Sequence, residues 1–236
     1  VNGPVYSASR LVARIWLGLY NRKRTLGTEN IPAQGGVLLV ANHASYLDPP
    51  IVGCGLRRAV HFLARSTLGR VGFAHRYLSA LGVIFVDRDG SPREGLEGAV
   101  TALRAGKIVC IFPEGTRSAD GRVTPFKRGA LLVLKRAPVP VVPVGVEGSF
   151  AALGRGRGFP RPAKITVRYG EPMTADAVLA RGGIEDLEAR VAALVGEASV
   201  AMASVAAGGA PADQSSAPGL RDAGPRAQAE EDAVSC

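Results

Sequence analysis

Apolar positions recur along the chain in two rhythms, short β-branched runs and longer stretches at helical spacing. Leu11, Ile15 and Leu19 share one side of a helix predicted over Leu11–Tyr20, and Val12, Trp16 and Tyr20 widen that side. Gly35-Gly36 then leads into Val37-Leu38-Leu39-Val40, a buried-strand pattern. Pro49-Pro50 opens a second helix, because proline is tolerated where the amide lacks a helical partner anyway. Gly82 to Val86 reads as a strand. Pro92 to Ala105 reads as a helix, with Leu96, Val100 and Leu103 on one face and Gly106 as its C-terminal cap. A strand at Lys107 to Phe112 and a helix at Arg128 to Arg136 follow. Val139 to Val144 holds two prolines, whose missing amides suit an edge strand or a strand end. Lys164 to Tyr169 alternates as a last strand, and Ile184 to Val195 closes the pattern as a helix.

Strands alternating with helices predict one α/β domain, a mostly parallel or mixed central sheet flanked by helices. Polar clusters follow three of the strands at their carboxyl ends, the usual place for sites in such sheets. The expected organisation is an amphipathic or interfacial segment over 1–26, a catalytic domain over 27–196 and a tail over 197–236. In the tail, Ala, Gly, Ser and Pro dominate, with little large apolar material to offset the entropy of ordering, so disorder is expected.

Charge sharpens this division. The chain carries a formal net charge of +9. From Glu197 onward six acidic residues face two arginines, a net of −4, which leaves +13 on the first 196 residues. A basic body suits anionic lipid, nucleic acid or a phosphorylated substrate. Aromatics are only 6% and no zinc-finger, RNP-like or helix-turn-helix pattern appears, so no nucleic-acid partner is expected. The sequence holds no uncharged apolar run of about 18 residues and shows no signal-peptide pattern. Three widely spaced cysteines fit neither a disulfide framework nor a CxxC site, and point to a reducing compartment; Cys110 reads as a small buried strand residue.

His43 follows the first buried strand and has Asp48 five residues on. A turn leading into a helix would bring that carboxylate to the ring. An Asp bonded to one imidazole nitrogen sets the tautomer and leaves the other free to take a proton, which suits general-base activation of an alcohol. A serine nucleophile is the competing chemistry, with Ser45 and Ser66 at hand, but no GxSxG elbow accompanies them. His43, His61 and His75 show no metal-ligand spacing. Arg88 and Arg117 each leave the end of a predicted strand, and guanidinium forks match phosphate oxygens. Glu114 stands ready to bond a substrate hydroxyl or to hold Arg117, and Gly115 lets the chain turn close to a ligand. Thr116 and Ser118 are either hydrogen-bond donors or turn caps.

NHASYLD, Asn42 to Asp48, is similar to the HxxxxD box of the glycerolipid acyltransferases. The resemblance continues through GVIFVDR (Gly82 to Arg88), FPEGTRS (Phe112 to Ser118), FKRGA (Phe126 to Ala130) and VPVVPV (Val139 to Val144), in the family's order. It covers Gly27 to Glu171. HxxxxD alone is a weak signal; followed by FPEGTRS it is a strong one. The resemblance implies transfer of an acyl group from acyl-CoA or acyl-carrier protein to the sn-2 hydroxyl of lysophosphatidic acid, without a cofactor and without an acyl-enzyme. His43 would be the base and Asp48 its orienting partner. Arg88, Glu114, Gly115, Thr116 and Arg117 would bind the acceptor, with Lys127 near it. Acceptors other than lysophosphatidic acid, including an amine-containing lipid, stay open, as does a non-catalytic lipid-binding protein. Attachment to an anionic membrane surface, on the cytoplasmic face, would fall to Leu11–Arg24, where an apolar helix side precedes a basic run. A surface helix docked on the body is the other reading of that segment. Arg155, Arg157 and Arg161 form a basic loop, read either as solubilising or as touching headgroups or the acyl carrier.

Overall fold

Val37, Leu39 and Ala41 of one strand face one layer of helices, while Leu38 and Val40 face another, and all five are buried. A strand covered on both faces reads as an unbroken apolar run, the mark of an interior position in a parallel sheet. The computed structural model describes residues 3–65, 72–86 and 92–196. Arg88, Ser66 and the tail expected over 197–236 lie outside those residues.

The sheet has seven strands: β1 (Arg24–Leu26), β2 (Val37–Ala41), β3 (Val60–Arg65), β4 (Val83–Val86), β5 (Ile108–Ile111), β6 (Val141–Glu147) and β7 (Thr166–Tyr169). Their order is β1-β7-β6-β2-β5-β3-β4, and every neighbouring pair is parallel except β6 with β7. The sheet thus begins at Arg24, ahead of the expected domain start at 27. Helices α1 (Pro4–Tyr20), α2 (Asp48–Cys54) and α6 (Ser149–Leu153) cover one face, packing Leu17, Ile51, Val52 and Ala152 against it. On the other face lie α4 (Pro92–Arg104), α5 (Gly129–Arg136), α7 (Ala175–Leu179) and α8 (Gly183–Val195), through Val100, Leu103, Val133, Leu134, Val178 and Leu187. Helix α3 (Gly72–Ala80) sits beside β4 and α1, where Tyr77 shares a 3.0 Å hydrogen bond with Ser9.

The layered fold is the expected one, and its carboxyl-end geometry follows from β2, β5 and β6 lying side by side. One expectation is corrected. The proline-bearing strand is not at an edge: β6 lies between β7 and β2. The backbone explains how. Pro140 precedes the strand and still accepts from Leu38 N at 3.0 Å. Pro143 accepts from Gly170 N at 2.8 Å, so its missing amide falls on the β7 side. There the antiparallel ladder ends and resumes, one residue out of step, at the Val141–Met173 bridge. The ladder to β2 needs no donor from Pro143, so the cost that keeps proline out of sheet interiors does not arise.

β1, β3 and α3 were not legible as elements. β3 mixes His61 and Arg65 into a short run, and His61 is buried with Nδ1 3.2 Å from Ile108 O. Burial lowers its pKa and favours the neutral ring. Gly106 caps α4 as expected, at φ 73°, with Lys107 N reaching back to Ala102 O at 3.0 Å. Cys110 is fully buried, and burial pushes its thiol far from ionisation.

Helix α1 is longer than its apolar side suggested, starting with Pro4 in the first turn, where proline fits. It is docked: Leu17 is fully buried, and the Tyr6 hydroxyl accepts from Val60 N at 3.2 Å. Its outer side nevertheless leaves Leu11, Val12, Ile15 and Leu19 exposed, Leu19 at 81%. The docked reading describes the inner side of the helix, while the outer side presents an apolar surface to solvent. Among the described residues no helix is long and apolar enough to cross a membrane.

Candidate active site

β2 and β5 pair in parallel with Val40 opposite Ile111, so the segments leaving their carboxyl ends emerge side by side. Asn42 continues the ladder with its side chain. Its amide donates to Val146 O at 3.0 Å and accepts from Val146 N at 2.8 Å, fixing the chain where the main-chain pairing with β6 stops. The following loop is then held by the carboxylates of Asp48 and Glu114.

Asp48 opens α2 and is completely buried. Its Oδ2 accepts from Ala44 N at 2.7 Å, from Ser45 N at 2.7 Å and from His43 Nδ1 at 2.8 Å. His43 sits in the turn and Asp48 in the first helical turn, which is how a five-residue spacing becomes a contact. A carboxylate can only accept here, so the neutral ring carries its proton on Nδ1 and leaves Nε2 with a free lone pair. Asp48 Oδ1 is buried without a partner among the described residues. The His43 ring stacks on Phe112, centroids 4.2 Å apart, and Phe112 stacks on Phe62 at 6.4 Å. The side chain of His43 keeps 19% of its surface exposed. It is oriented by an anion, backed by an aromatic and open on one side.

Glu114 is almost fully buried, and its oxygens are directed to protein donors. Oε1 accepts from His43 N at 2.7 Å; Oε2 accepts from Thr124 Oγ1 at 2.7 Å and Thr124 N at 3.3 Å. Burial raises its pKa, while these donors, which favour the ionised form, oppose the rise. Ser118 N donating to His43 O at 2.7 Å adds a second tie between the two loops. Glu114 therefore locks the FPEGTRS segment against the main chain of His43. It does not hold Arg117, whose guanidinium lies 3.4 Å over the ring of Tyr46, a cation–π contact within the same loop as His43. Gly115 adopts φ 72°, and a Cβ there would come within 2.8 Å of Lys127 Nζ. The positive φ is what calls for glycine; the lysine passes close over it, and its own amide donates to Pro113 O at 3.0 Å. Thr116 is exposed on the loop, and Ser118 caps a turn through Asp120 and Gly121 N.

The structure thus gathers His43, Asp48, Glu114, Gly115, Arg117 and Lys127 at the carboxyl ends of β2 and β5. Ser45 is not placed as a nucleophile: its hydroxyl donates to Leu153 O at 2.8 Å and accepts from Leu47 N at 3.0 Å. Sequence reasoning missed Tyr46, Phe112 as the floor under the ring, and Thr124. Phe112 and Tyr46 lie inside blocks already singled out, but only the facing of two loops reveals what they touch. Thr124 carried no signal at all.

A family model described as Acyltransferase matches residues 23–147. The 1-acyl-sn-glycerol-3-phosphate acyltransferase of Bacillus subtilis is 27% identical over 161 residues, covering 68% of this chain and 78% of that protein. The protein of the same name from Borreliella burgdorferi is 33% identical over 120 residues, covering 50% of this chain and 48% of that one. The chain thus spans most of one relative and about half of another. Among solved structures, the 1-acyl-sn-glycerophosphate (LPA) acyltransferase PlsC from Thermotoga maritima superposes with a TM-score of 0.71 at 28% identity, covering 82% of this chain and 79% of that one.

Proposed function

Since the chain belongs to the acyltransferase family, we propose that it transfers a fatty acyl group from acyl-CoA or acyl-carrier protein to the sn-2 hydroxyl of 1-acyl-sn-glycerol 3-phosphate, giving phosphatidic acid. The observation that carries this reading is the 2.8 Å contact between His43 Nδ1 and the buried Asp48 carboxylate, on an open ring. The names of the relatives support the choice of acceptor.

In the reaction, His43 Nε2 takes the hydroxyl proton as the oxygen attacks the thioester carbonyl. Asp48 stabilises the imidazolium so formed. Collapse of the tetrahedral adduct breaks the C–S bond, and the imidazolium returns its proton to the departing thiolate. The sequence is balanced without a cofactor or an acyl-enzyme. Arg117 and Lys127 supply positive charge for the phosphate monoester, with Arg88 as a third cation and Thr116 as a hydroxyl donor. Glu114 keeps the acceptor-side loop in register with the base.

A thiol-release assay with acyl-CoA against a panel of lysolipids tests the proposal. Lysophosphatidic acid is expected to be used faster than lysophosphatidylcholine. Arg117→Ala is expected to raise KM for lysophosphatidic acid roughly 10- to 150-fold, the equivalent of one charged hydrogen bond of about 1.5–3 kcal/mol. Equal use of the two lysolipids by the unaltered protein defeats the acceptor assignment.

The same reading places the protein peripherally on an anionic membrane, at the cytoplasmic face, through the outer side of α1. Apolar side chains at 11, 12, 15 and 19 beside Arg14, Arg22 and Arg24 are what an interfacial helix presents. Trp16 instead packs on the core and stacks on Tyr20 at 5.5 Å, so it is left intact in the test. Leu11, Ile15 and Leu19 changed together to Gln are expected to abolish cosedimentation with anionic vesicles. Undiminished cosedimentation removes α1 from the attachment surface.

A further inference from the structure

Between α1 and the turn after α2 lies a cleft of about 480 Å³, lined by Tyr6, Ser7, Arg10, Leu11, Arg14 and Arg57. Three of its six lining residues are arginines. Among the described residues none of these guanidinium groups has a carboxylate partner. Arg10 is fixed at the wall: one of its terminal nitrogens donates to Leu56 O and Arg57 O, both at 3.0 Å, which leaves other N–H groups of its fork unused. Arg14 and Arg57 are exposed and line the same space, adding a second and third charge to its walls. Like charges brought together without counterions repel, and an anion in the cleft relieves that repulsion.

A second, shallower groove of about 340 Å³ continues along the helix, lined by Leu11, Arg14, Ile15, Gly18 and Leu19. Leu11 and Arg14 belong to both. Gly18 lacks a side chain, and a Cβ built there would meet nothing within 4 Å, so the groove floor is open at this point. A cationic cleft running into an apolar groove has the outline of an amphiphile, an anionic head followed by a hydrocarbon chain.

We propose that this surface binds one molecule of an anionic phospholipid from the bilayer, its phosphate between Arg10, Arg14 and Arg57 and its acyl chain along Leu11, Ile15 and Leu19. A guanidinium fork donates to two phosphate oxygens at once, and each buried methylene adds to the hold. The site is built on α1 and the turn after α2, away from the carboxyl ends of β2 and β5 where His43 and Arg117 stand. It rests on the reading of α1 as the membrane-facing element, and gives that element a defined headgroup site where a diffuse charged film would otherwise suffice.

The test is calorimetric titration of the full chain with dihexanoyl-phosphatidylglycerol as soluble monomer, a phosphodiester that lacks the acceptor's monoester. Dihexanoyl-phosphatidylcholine and inorganic phosphate are run alongside. Phosphatidylglycerol is expected to bind at one site, at least tenfold more tightly than either comparison ligand. Arg14→Gln with Arg57→Gln is expected to weaken it at least tenfold, while Arg117→Ala leaves it unchanged. Equal binding of phosphatidylcholine, equal binding of inorganic phosphate, or full affinity in the Arg14/Arg57 variant overturns the proposal. Thermal melting of that variant reports whether its fold is retained; if it is not, Arg57→Gln alone takes its place. Vesicle cosedimentation separates the two claims: if it is lost in the Leu11/Ile15/Leu19 variant while phosphatidylglycerol binding ignores Arg14 and Arg57, the membrane reading stands and the discrete site falls.

Discussion

Replacing His43 with alanine is expected to lower turnover by about 10²- to 10⁴-fold, the usual contribution of a positioned general base. The fold should survive. The imidazole is partly exposed, and the loop around it is pinned by main-chain groups that alanine keeps: His43 N to Glu114 and His43 O from Ser118 N. The loss should appear in kcat, with KM for lysophosphatidic acid little changed, because the cations assigned to the phosphate are untouched. Steady-state kinetics with a thermal melt separates this from unfolding. Turnover within a few-fold of normal would falsify the base assignment.

Asp48→Asn should be nearly as slow, for a different reason, and less stable as well. The aspartate oxygen Oδ2 accepts three hydrogen bonds, two of them from buried main-chain amides. An amide presents one accepting and one donating end. If its oxygen takes the place of Oδ2 it keeps all three donors, His43 Nδ1 included, and its NH₂ falls where the buried, unpartnered Oδ1 lies. The tautomer is kept, but the imidazolium formed in the reaction loses the negative charge that stabilises it, which slows proton transfer. A partial loss of the charged hydrogen bonds should also lower stability by about 1–3 kcal/mol. Residues acting as one unit are non-additive, so the double variant His43→Ala/Asp48→Asn should turn over no more slowly than His43→Ala alone. Multiplicative losses in the double variant would mean that Asp48 contributes to catalysis independently of the ring.

Local pattern was sufficient for much of this. Val37 to Val40 reads as buried strand because four apolar residues in a row cannot alternate faces with solvent, and both faces of β2 are indeed covered. The α4 boundary at Gly106 was legible because a left-handed cap is a property of one residue. The His43–Asp48 pair was legible because its members are five apart, so a single turn decides whether they meet.

Contacts between distant segments were a different matter. Nothing in residues 112–118 or 42–48 separately states that β2 and β5 are neighbours, and Glu114 was accordingly assigned to substrate rather than to the amide of His43. Arg117 over Tyr46 and Phe112 beneath the imidazole depend on the same pairing. Pro143 argued for an edge because its missing amide is a local fact, whereas the partner that would have needed that amide is set by where β7 ends. By itself the sequence determined most of the elements, the α/β class and the meeting of His43 with Asp48, since each depends on residues within a turn or two of one another. The tertiary structure alone decided strand order, which carboxylate holds the main chain at His43 and where Arg117 rests. These are settled by packing between segments far apart in the chain, where periodicity carries no information.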